Sequence, residues 1–309
     1  MANNKIKIIK IKDLVWIDIV NAGEKEIKYL KQEFNFHPLD LKDCFPPLQR
    51  PKLIVQENYI FMILQFPFYN RETKEILPSE IDFFIGKNFI ITHHLNELIS
   101  IKDFFQDLQK NKEAQKKYLS NNPSIILYEI LNKLLLYCFP MLNHINLDID
   151  VVEKQIFNGQ NKKIVKEILI IRRNIVNFRK TMQPHKSIVR KLIGIAPQFF
   201  SISKLNIYFN YLVENTKEIW DHLENYKDSI DALHNTNESL INFKTNEIIK
   251  TLTIFSVIVF PLTLLAAIFG MNAINMPFIN LPYGFWYIIG IMLVGGILMF
   301  WVFKNKKWM

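Results

Sequence analysis

The sequence predicts an α+β membrane protein, in which an N-terminal cytosolic α/β/α domain leads through a very long stalk helix into the first of two C-terminal transmembrane helices. Two stretches, from Thr251 to Phe269 and from residue 285 to residue 303, carry no charge, and each is about as long as a helix must be to cross a bilayer. Alternating and β-branched runs occur only before Leu95, and the pattern after it is helical.

The N-terminal end predicts two strands followed by two helices. Residues 5 to 20 form two largely alternating, β-branched runs. Asn21 and Glu24 have the spacing of a helix N-cap and an acidic third helical position, which predicts a helix that ends at about Phe34. His37 to Cys44 follows as a short helix with Pro38 in its first turn, where a missing N–H costs little.

Two pairs of apolar, aromatic and β-branched runs predict two hairpins. The first pair is 53–56 with 59–66, and the second is 80–85 with 89–92. Each pair is separated by a short polar or Gly-containing turn. Together with the N-terminal strands they predict a mixed sheet of five or six strands.

The histidine and cysteine residues do not have the spacing of a metal site. His93 and His94 end the last predicted strand, but neighbouring strand residues point to opposite faces, so we expect a surface or capping pair. Cys44 and Cys138 are the only cysteines and lie far apart, with no Cys-x-x-Cys motif and no zinc-spaced histidine pair beside them. This usage indicates a reducing compartment.

Helical patterns continue from residue 96 into the first apolar span. Separate helices are predicted over about 96–118, 122–157 and 162–181, and the pattern then runs unbroken from about Ser203 to Gly270. At 1.5 Å per residue this last helix would be roughly 100 Å long. Such a length predicts a stalk that connects the cytosolic part directly to the membrane.

One face of the first span is more polar than the rest. Small and polar residues recur three or seven positions apart, and at about 100° per residue they fall within a wedge of roughly 120°. Such a stripe is typical either of a packing face between membrane helices or of a pore lining, and periodicity alone leaves both open. Its members are Asn246, Ile249, Thr253, Ser256, Phe260, Thr263, Ala267 and Gly270.

Pro261 lies inside this span and removes one backbone hydrogen-bond donor. No other proline interrupts the pattern from residue 203 onward. We expect the Thr263 hydroxyl and neighbouring helices to compensate for the lost donor.

The charges around the two spans predict their orientation. Lysines precede the first span and follow the second, whereas the loop between them is uncharged, so the positive-inside rule puts both termini on the cytoplasmic side of the cell (inner) membrane. Trp286 and Trp308 would mark the two interfaces. The lysines are Lys244 and Lys250 before the first span and Lys304, Lys306 and Lys307 in the basic tail.

The patterns divide the chain into seven segments. The N-terminus has no apolar block of the kind that a secretory signal carries, so the first three segments are expected in the cytosol. The segments are a cytosolic α/β domain (1–120), a helical hairpin (121–200), the stalk helix (201–250), the first transmembrane helix (251–272), an extracytoplasmic loop (273–284), the second transmembrane helix (285–303) and the basic cytosolic tail (304–309).

Composition excludes several classes of function. Thirty-eight Lys and Arg against 29 Asp and Glu leave a net charge of +9. The basic residues are spread along the chain, which favours a face near anionic lipid over a nucleic-acid partner. Because the sequence contains no Gly-rich phosphate loop, nucleophile–base pair or dense carboxylate site, neither an enzyme nor a small organic substrate is predicted.

Short motifs over essentially the full length of the chain carry a family resemblance. They include Trp16-Ile17-Asp18, His37-Pro38-Leu39, Gln49-Arg50-Pro51-Lys52, Lys244-Thr245-Asn246-Glu247, Phe260-Pro261-Leu262-Thr263, Met276-Pro277 and a terminal Lys-Lys-Trp. Together with Gly270-Met271-Asn272 at the end of the first span, they make the chain similar to the CorA-type divalent-cation (magnesium) channel family.

The resemblance implies a funnel-shaped homopentamer in the lipid membrane, whose first membrane helices line one pore. Mg²⁺ is implied as both the transported ion and the intracellular ion that closes the pore, with Co²⁺, Ni²⁺ or Zn²⁺ as other cargoes. Gly270, Met271 and Asn272 would form the selectivity filter, where five carboxamides suit a hydrated Mg²⁺ ion. The implied pore-lining residues are Asn246, Ile249, Leu252, Ser256, Phe260, Thr263 and Ala267, with a hydrophobic constriction at Ile249 and Leu252.

The chain departs from the family pattern at the outer loop and at the regulatory site. Phe278 stands where many relatives carry an acidic residue, so electrostatic capture of cations should be weaker. The family pairs an aspartate that matches Asp43 with a stalk aspartate, but that stalk position is Asn235 here and a second is Tyr211. Regulation by Mg²⁺ is therefore expected to be weak. The nearby stalk acids Asp228, Asp231 and Glu238 are either substitutes or a solvated face.

Two alternatives to Mg²⁺ influx stay open. The first is a zinc, cobalt or nickel transporter of the same fold, with or without proton coupling. The second is a membrane-anchored regulatory coiled-coil protein that conducts no ions.

Overall fold

The structure is a computed structural model that describes residues 5–118, 122–158, 161–200, 206–271, 276–278, 281–306 and 308. Contacts divide the chain into two units, Met1–His234 and Asn235–Met309. The boundary between the units falls inside the longest helix, so that helix contributes residues to both.

The first unit contains one six-stranded mixed sheet, as the sequence predicts. Its strand order is β1-β2-β6-β5-β4-β3, and only the β2–β6 pair is parallel. The strands are β1 (Ile6–Ile11), β2 (Leu14–Val20), β3 (Lys52–Val55), β4 (Tyr59–Asn70), β5 (Glu75–Gly86) and β6 (Phe89–His94).

Strands β4 and β5 are longer than predicted because they continue past a pair of prolines. Pro67 and Pro78 lie directly opposite each other in the ladder. β3 pairs with β4 only over Ile60–Ile63, and β6 pairs with β5 only over Ile81–Ile85. Both prolines therefore lie beyond the neighbouring strands, where a missing N–H interrupts no ladder.

Ten α-helices are described. They are α1 (Glu24–Phe34), α2 (Pro38–Asp43), α3 (Ile99–Lys110), α4 (Lys112–Tyr118), α5 (Pro123–Leu136), α6 (Cys138–Phe157), α7 (Asn161–Met182), α8 (His185–Ile195), α9 (Asn206–Phe269) and α10 (Gly284–Asn305). A short 3₁₀ turn at Ala196–Gln198 follows α8. No helix is predicted from the sequence over the residues of α8.

Two helices predicted as continuous are each split in two. Asn111 lies between α3 and α4, and its side-chain oxygen accepts hydrogen bonds from the Glu113 and Ala114 N–H groups at 3.0 and 3.1 Å. Pro140 has no N–H to bond the Leu136 carbonyl, so the helical ladder is interrupted between α5 and α6. Both breaks have a local cause: an N-cap in the first case and a proline in the second.

Helices cover both faces of the sheet. On one face a buried cluster includes Ile17, Phe61 and Phe84 from the strands, together with Leu30 of α1 and Leu41 of α2. On the other face, the fully buried Trp16 packs against two rings of α3, at centroid distances of 5.6 Å to Phe104 and 4.8 Å to Phe105. The strand period of two sends neighbouring residues to opposite layers, which gives the α/β/α arrangement.

Helix α7 is attached to the start of β5 by amide side chains. The Asn174 side chain accepts from the Ile76 N–H and donates to the Lys74 carbonyl, each at 3.0 Å. Asn177 donates to the Ile76 carbonyl at 3.0 Å. These bonds satisfy backbone groups at and just before the start of β5 and hold α7 against this strand.

A chain of buried polar side chains joins β2 to β6. The Trp16 indole N–H donates to Thr92 Oγ1 at 3.0 Å, and Thr92 donates to Asp18 Oδ1 at 2.7 Å. His94 Nε2 lies 3.2 Å from the same carboxylate oxygen. Burial acts to lower the pKa of His94, but the hydrogen bond and charge of Asp18 outweigh it, so the pKa is raised.

Replacing Thr92 should destabilise the sheet because the hydroxyl serves two buried partners. In Thr92→Val, Trp16 and Asp18 each lose a hydrogen bond in the buried interior, and we expect the free energy of unfolding to fall by about 1–3 kcal/mol. Thr92→Ser keeps the hydroxyl and is the matched control. A thermal melt of the purified full-length protein in detergent should show a lower midpoint for Thr92→Val only. Equal midpoints for the two variants would contradict this account.

Candidate functional site

Three helical stretches are long and apolar enough to cross a membrane. They are Pro123–Phe157, Asn206–Phe269 and Gly284–Asn305. Within its most apolar window the first is 56% buried inside the protein, whereas the other two are 6% and 0% buried. The first therefore contributes to the core of the N-terminal unit, and the other two have apolar surface that the chain itself leaves uncovered.

The predicted polar stripe lies on an exposed face of α9. Ile249, Leu252 and Phe260 are 55%, 63% and 70% exposed, and the Ser256 side chain is partly buried. The other predicted members of this stripe on the helix are also exposed, namely Asn246, Thr253, Thr263 and Ala267. This face is free to contact water, lipid or other copies of the chain.

The opposite face of α9 is the more buried one. Ile254 is 6% exposed, and Ile258, Leu262, Leu265 and Phe269 are partly buried. These residues recur every three or four positions and form a single stripe across the helix from the polar one. The uncovered polar face and the covered apolar face are therefore distinct sides of the same helix.

A contact with α10 lies on that covered face. A β-carbon added at Gly296 would lie 3.7 Å from Leu262 Cδ1, which is ordinary van der Waals contact. Gly296 and the preceding Gly295 lie inside the second predicted span. A small residue there lets the two helices approach closely, as is common between membrane helices.

The hydroxyl groups of the span bond to its own backbone. Ser256 donates to the Leu252 carbonyl at 2.8 Å, Thr253 to the Ile249 carbonyl at 2.8 Å, and Thr263 to the Val259 carbonyl at 2.9 Å. Each hydroxyl proton is thus used within the helix, while the hydroxyl oxygen keeps its capacity to accept. The stripe therefore presents acceptors and no charge.

The expected compensation for Pro261 by Thr263 was wrong. Pro261 removes the donor that would bond the carbonyl of Val257, four residues earlier. The Thr263 hydroxyl is instead bonded to Val259, since a threonine in a helix reaches the carbonyl four residues before itself.

The first apolar span ends in a tight turn at Gly270. The Gly270 N–H donates to the Ala266 carbonyl at 2.9 Å, and the Met271 N–H donates to the Ile268 carbonyl at 3.2 Å. A β-carbon at position 270 would lie 3.1 Å from the Ala266 carbonyl oxygen, so glycine suits this close approach. Asn272, the predicted selectivity residue, lies outside the described residues.

Helix α10 and its flanks carry the other features named at the membrane ends. The helix has 22 residues, or about 33 Å, which matches the thickness of a bilayer core. Trp286 near its start and Trp308 beyond its end are both exposed. Lys304 is in its last turn, and Lys306 follows as the C-cap. Lys307 lies outside the described residues.

Asp43 has an ion-pair partner that the sequence pattern does not predict. Lys52 at the start of β3 forms an ion pair with the Asp43 carboxylate, and both side chains are partly exposed. The pair joins the end of α2 to the sheet and neutralises the Asp43 charge. Lys52 belongs to the Gln49-Arg50-Pro51-Lys52 motif, but its partner could not be read from that motif alone.

The stalk residues are described within α9. Asn235 is exposed and falls in the second unit, whereas Asp43 falls in the first, and Tyr211 is about half exposed. Among the acids considered as substitutes, Asp231 is paired with Arg172 at 3.2 Å, and Asp228 lies 3.5 Å from Lys227. Glu238 is exposed.

The prediction that His93 and His94 are a surface or capping pair was wrong. His93 is 6% exposed and its Nδ1 lies 2.8 Å from Asp82 Oδ2 of β5. His94 is 1% exposed and pairs with Asp18. The two rings do point to opposite faces, but each face is buried, because helices cover both sides of the sheet.

Comparison with known proteins gives consistent matches along the chain. The "Cobalt/magnesium transport protein CorA" of Thermotoga maritima is 29% identical over 297 residues, covering 95% of this chain and 83% of that protein. The protein of the same name from Methanocaldococcus jannaschii is 22% identical, covering 96% of this chain and 91% of that protein. These are relatives over nearly their whole lengths.

The fold is shared as well. The complete structure of the CorA magnesium transporter from Methanocaldococcus jannaschii matches with a TM-score of 0.84 at 20% identity, over 97% of this chain and 94% of that one. The family model described as "CorA-like Mg2+ transporter protein" matches residues 12–306. Because that match begins just before β2 and continues to the end of α10, the chain belongs to the CorA-like Mg²⁺ transporter family.

Proposed function

We propose that the chain forms a homopentameric channel in the cell membrane that admits Mg²⁺ to the cytosol. The observation that carries the proposal is the two-sided character of α9, in which one face is more buried and the opposite face is a mostly exposed stripe where hydroxyl and small residues alternate with apolar ones. Copies of such a helix arranged around an axis would line a pore with acceptor groups.

The stripe suits an ion that keeps its water. Mg²⁺ loses its hydration shell reluctantly and usually retains several waters when it is bound. Hydroxyl oxygens at Ser256 and Thr263 can accept hydrogen bonds from those waters. A stripe of neutral acceptors therefore passes a hydrated cation without holding it tightly.

Selectivity and gating are assigned to the two ends of the stripe. Asn272 provides a ring of carboxamides at the outer end, supported by Gly270 and Met271. Ile249 and Leu252 provide an apolar constriction nearer the cytosol, which closes by excluding water. Asn246, Phe260 and Ala267 complete the lining.

The membrane potential supplies the driving force. Both termini lie in the cytoplasm, and Mg²⁺ enters toward the negative side, which is worth about 4.6 kcal/mol per ion at 100 mV. The channel consumes no chemical substrate, and its partners are other copies of itself and membrane lipid. The lysines of the basic tail, including Lys307, face anionic headgroups.

Intracellular Mg²⁺ regulates the channel weakly. Asp43 and Asn235 provide one carboxylate and one amide where two carboxylates would give more charge, and Lys52 already neutralises Asp43. A site with fewer charged oxygen ligands binds Mg²⁺ less tightly. Closure therefore needs more internal Mg²⁺ than it would with an aspartate at both positions.

Ion flux into liposomes that contain the purified protein tests conduction. We expect Mg²⁺ uptake that grows with an inside-negative potential, and about tenfold slower uptake in Asn272→Ala, because the ring loses its carboxamides. Asn275→Ala removes an asparagine of the same loop and should leave uptake unchanged.

Each alternative has its own outcome in the same assay. Uptake of Zn²⁺, Co²⁺ or Ni²⁺ in preference to Mg²⁺ would favour a transition-metal transporter, and dependence on a pH gradient would indicate proton coupling. The absence of flux for every ion would favour a non-conducting regulatory protein. If Asn272→Ala takes up Mg²⁺ as fast as the wild type, Asn272 does not form the selectivity ring.

A polar side chain at the constriction should open it. Ile249→Asn lets water into the narrow part, so basal Mg²⁺ uptake without regulatory closure should rise severalfold. The neighbouring Ile248, 69% exposed against 55% for Ile249, points about 100° away on the same turn and supplies the matched control Ile248→Asn. Equal uptake in the two variants would show that Ile249 does not face the pore.

Restoring the missing carboxylate should strengthen regulation. Asn235→Asp should lower, by severalfold, the internal Mg²⁺ concentration that half-closes the channel in patch recordings, because a second charged ligand becomes available. Adding Asp43→Asn to this variant should reverse the gain. An unchanged midpoint in Asn235→Asp, or a gain that persists without Asp43, would exclude these two residues as a shared regulatory site.

A further inference from the structure

Three side chains that metals commonly use converge inside the α/β domain, away from the stripe of α9 and beside Asp43, whose charge acts on Cys44 and Asp82. Cys44 is the C-cap of α2, Asp82 is on β5, and His93 is opposite it on β6. The thiol sulfur, a carboxylate oxygen and a ring nitrogen all lie within 4.8 Å of one another. All three residues are buried, with Asp82 fully enclosed.

The hydrogen bonds of the cluster leave it incomplete. Asp82 Oδ2 lies 2.8 Å from His93 Nδ1, and the Cys44 thiol is the other group that approaches this carboxylate. Asp82 Oδ1 is buried, and no hydrogen bond of ordinary geometry reaches it from the described residues. The Cys44 thiol lies 3.5 Å from the Asp40 carbonyl oxygen, which is a weak contact. A carboxylate oxygen that is fully buried without a partner is energetically unfavourable, and a cation would satisfy it.

The cluster borders a cavity that can hold an ion. Its volume is about 100 Å³, and Cys44, Glu80, Asp82 and His93 are among its lining residues. A cavity of roughly 10–15 Å³ is enough for one water molecule, so this one has room for a metal ion with a bound water.

We propose that Cys44, Asp82 and His93 bind one transition-metal ion of the Zn²⁺ or Co²⁺ class. Thiolate and imidazole ligands select such ions, whereas Mg²⁺ prefers oxygen ligands alone. Three protein ligands with a water in the fourth position give tetrahedral coordination. The bond lengths of such a site place ligand atoms about 3–4 Å apart, so the cluster has to contract by only about 1 Å.

Binding exchanges protons for the metal. Burial, and next the charge of Asp82, raises the pKa of the Cys44 thiol well above its usual value, so the thiol is protonated until a metal displaces the proton. The Ala22 N–H donates to His93 Nε2 at 3.3 Å, which puts the proton of the neutral ring on Nδ1, facing Asp82. A metal at Nδ1 would move that proton to Nε2, and the hydrogen bond from the Ala22 N–H to this nitrogen would then have to break.

The metal would connect three elements of the first unit. It would tie the end of α2 to β5 and β6, one residue after Asp43. This site is separate from the ion pathway proposed above, because the pathway presents only oxygen ligands from α9 and its outer end. Occupancy of the site and transport of Mg²⁺ can therefore be measured independently.

A Co²⁺ titration of the purified full-length protein tests the proposal. After treatment with a chelator, Co²⁺ should produce the charge-transfer absorption of a thiolate–cobalt bond, saturating at one ion per chain. Zn²⁺ should abolish the band by displacement, and excess Mg²⁺ should leave it unchanged. Cobalt bound by pore oxygens gives no thiolate band, so loss of conduction and loss of this site are distinguishable.

Variants locate the band. Cys138 is the only other cysteine and is also buried, so Cys138→Ser is the matched control that should keep the band, whereas Cys44→Ser should lose it. Asp82→Asn and His93→Gln should each weaken Co²⁺ binding at least tenfold. If Cys44→Ser does not fold, a band that is retained in Cys138→Ser still shows that the thiolate is Cys44, because the sequence has no third cysteine. A wild-type protein without the band, or a band lost in Cys138→Ser, would overturn the proposal.

Discussion

A helix inside a bilayer has no water to satisfy its backbone, and this constraint determines how α9 can carry polar groups. Its serine and threonine hydroxyls donate to carbonyls of the preceding turn, so each adds an acceptor to the surface without leaving a proton unsatisfied. The opposite face carries larger apolar side chains, and Leu262 packs there against Gly296 of α10. Packing on one side therefore determines which residues remain uncovered on the other.

Much of the fold could be predicted because its signals are local. The six strands follow from runs of β-branched residues. The 64-residue helix α9 follows from a long stretch with helical spacing of apolar and polar residues, in which the first proline is Pro261. The divisions at Asn111 and Pro140 are also local and were readable as a cap and a breaker. The continuation of β4 and β5 past Pro67 and Pro78 was not, since it depends on where neighbouring strands end.

The candidate sites divide in the same way. The polar stripe could be found from spacing, but its role, and the assignment of Asn272, rest on family resemblance. The partners of Asp43 and of the two histidines could not be predicted, because Lys52, Asp82 and Asp18 approach them through strand register and tertiary packing. A buried carboxylate is tolerated only beside a hydrogen-bonding partner. The burial of Asp82 and Asp18 therefore explains why a histidine lies beside each of them.

The ion pair between Lys52 and Asp43 has a consequence for any ion that uses this carboxylate. Lys52 is a cation attached to the same chain, so it stays near Asp43 at a high effective concentration, and dilution cannot remove it. A divalent ion has to displace it, whereas loss of the ion lets the ammonium group return. The carboxylate is consequently neutralised in both states, and the end of α2 keeps its attachment to the sheet when the divalent ion leaves.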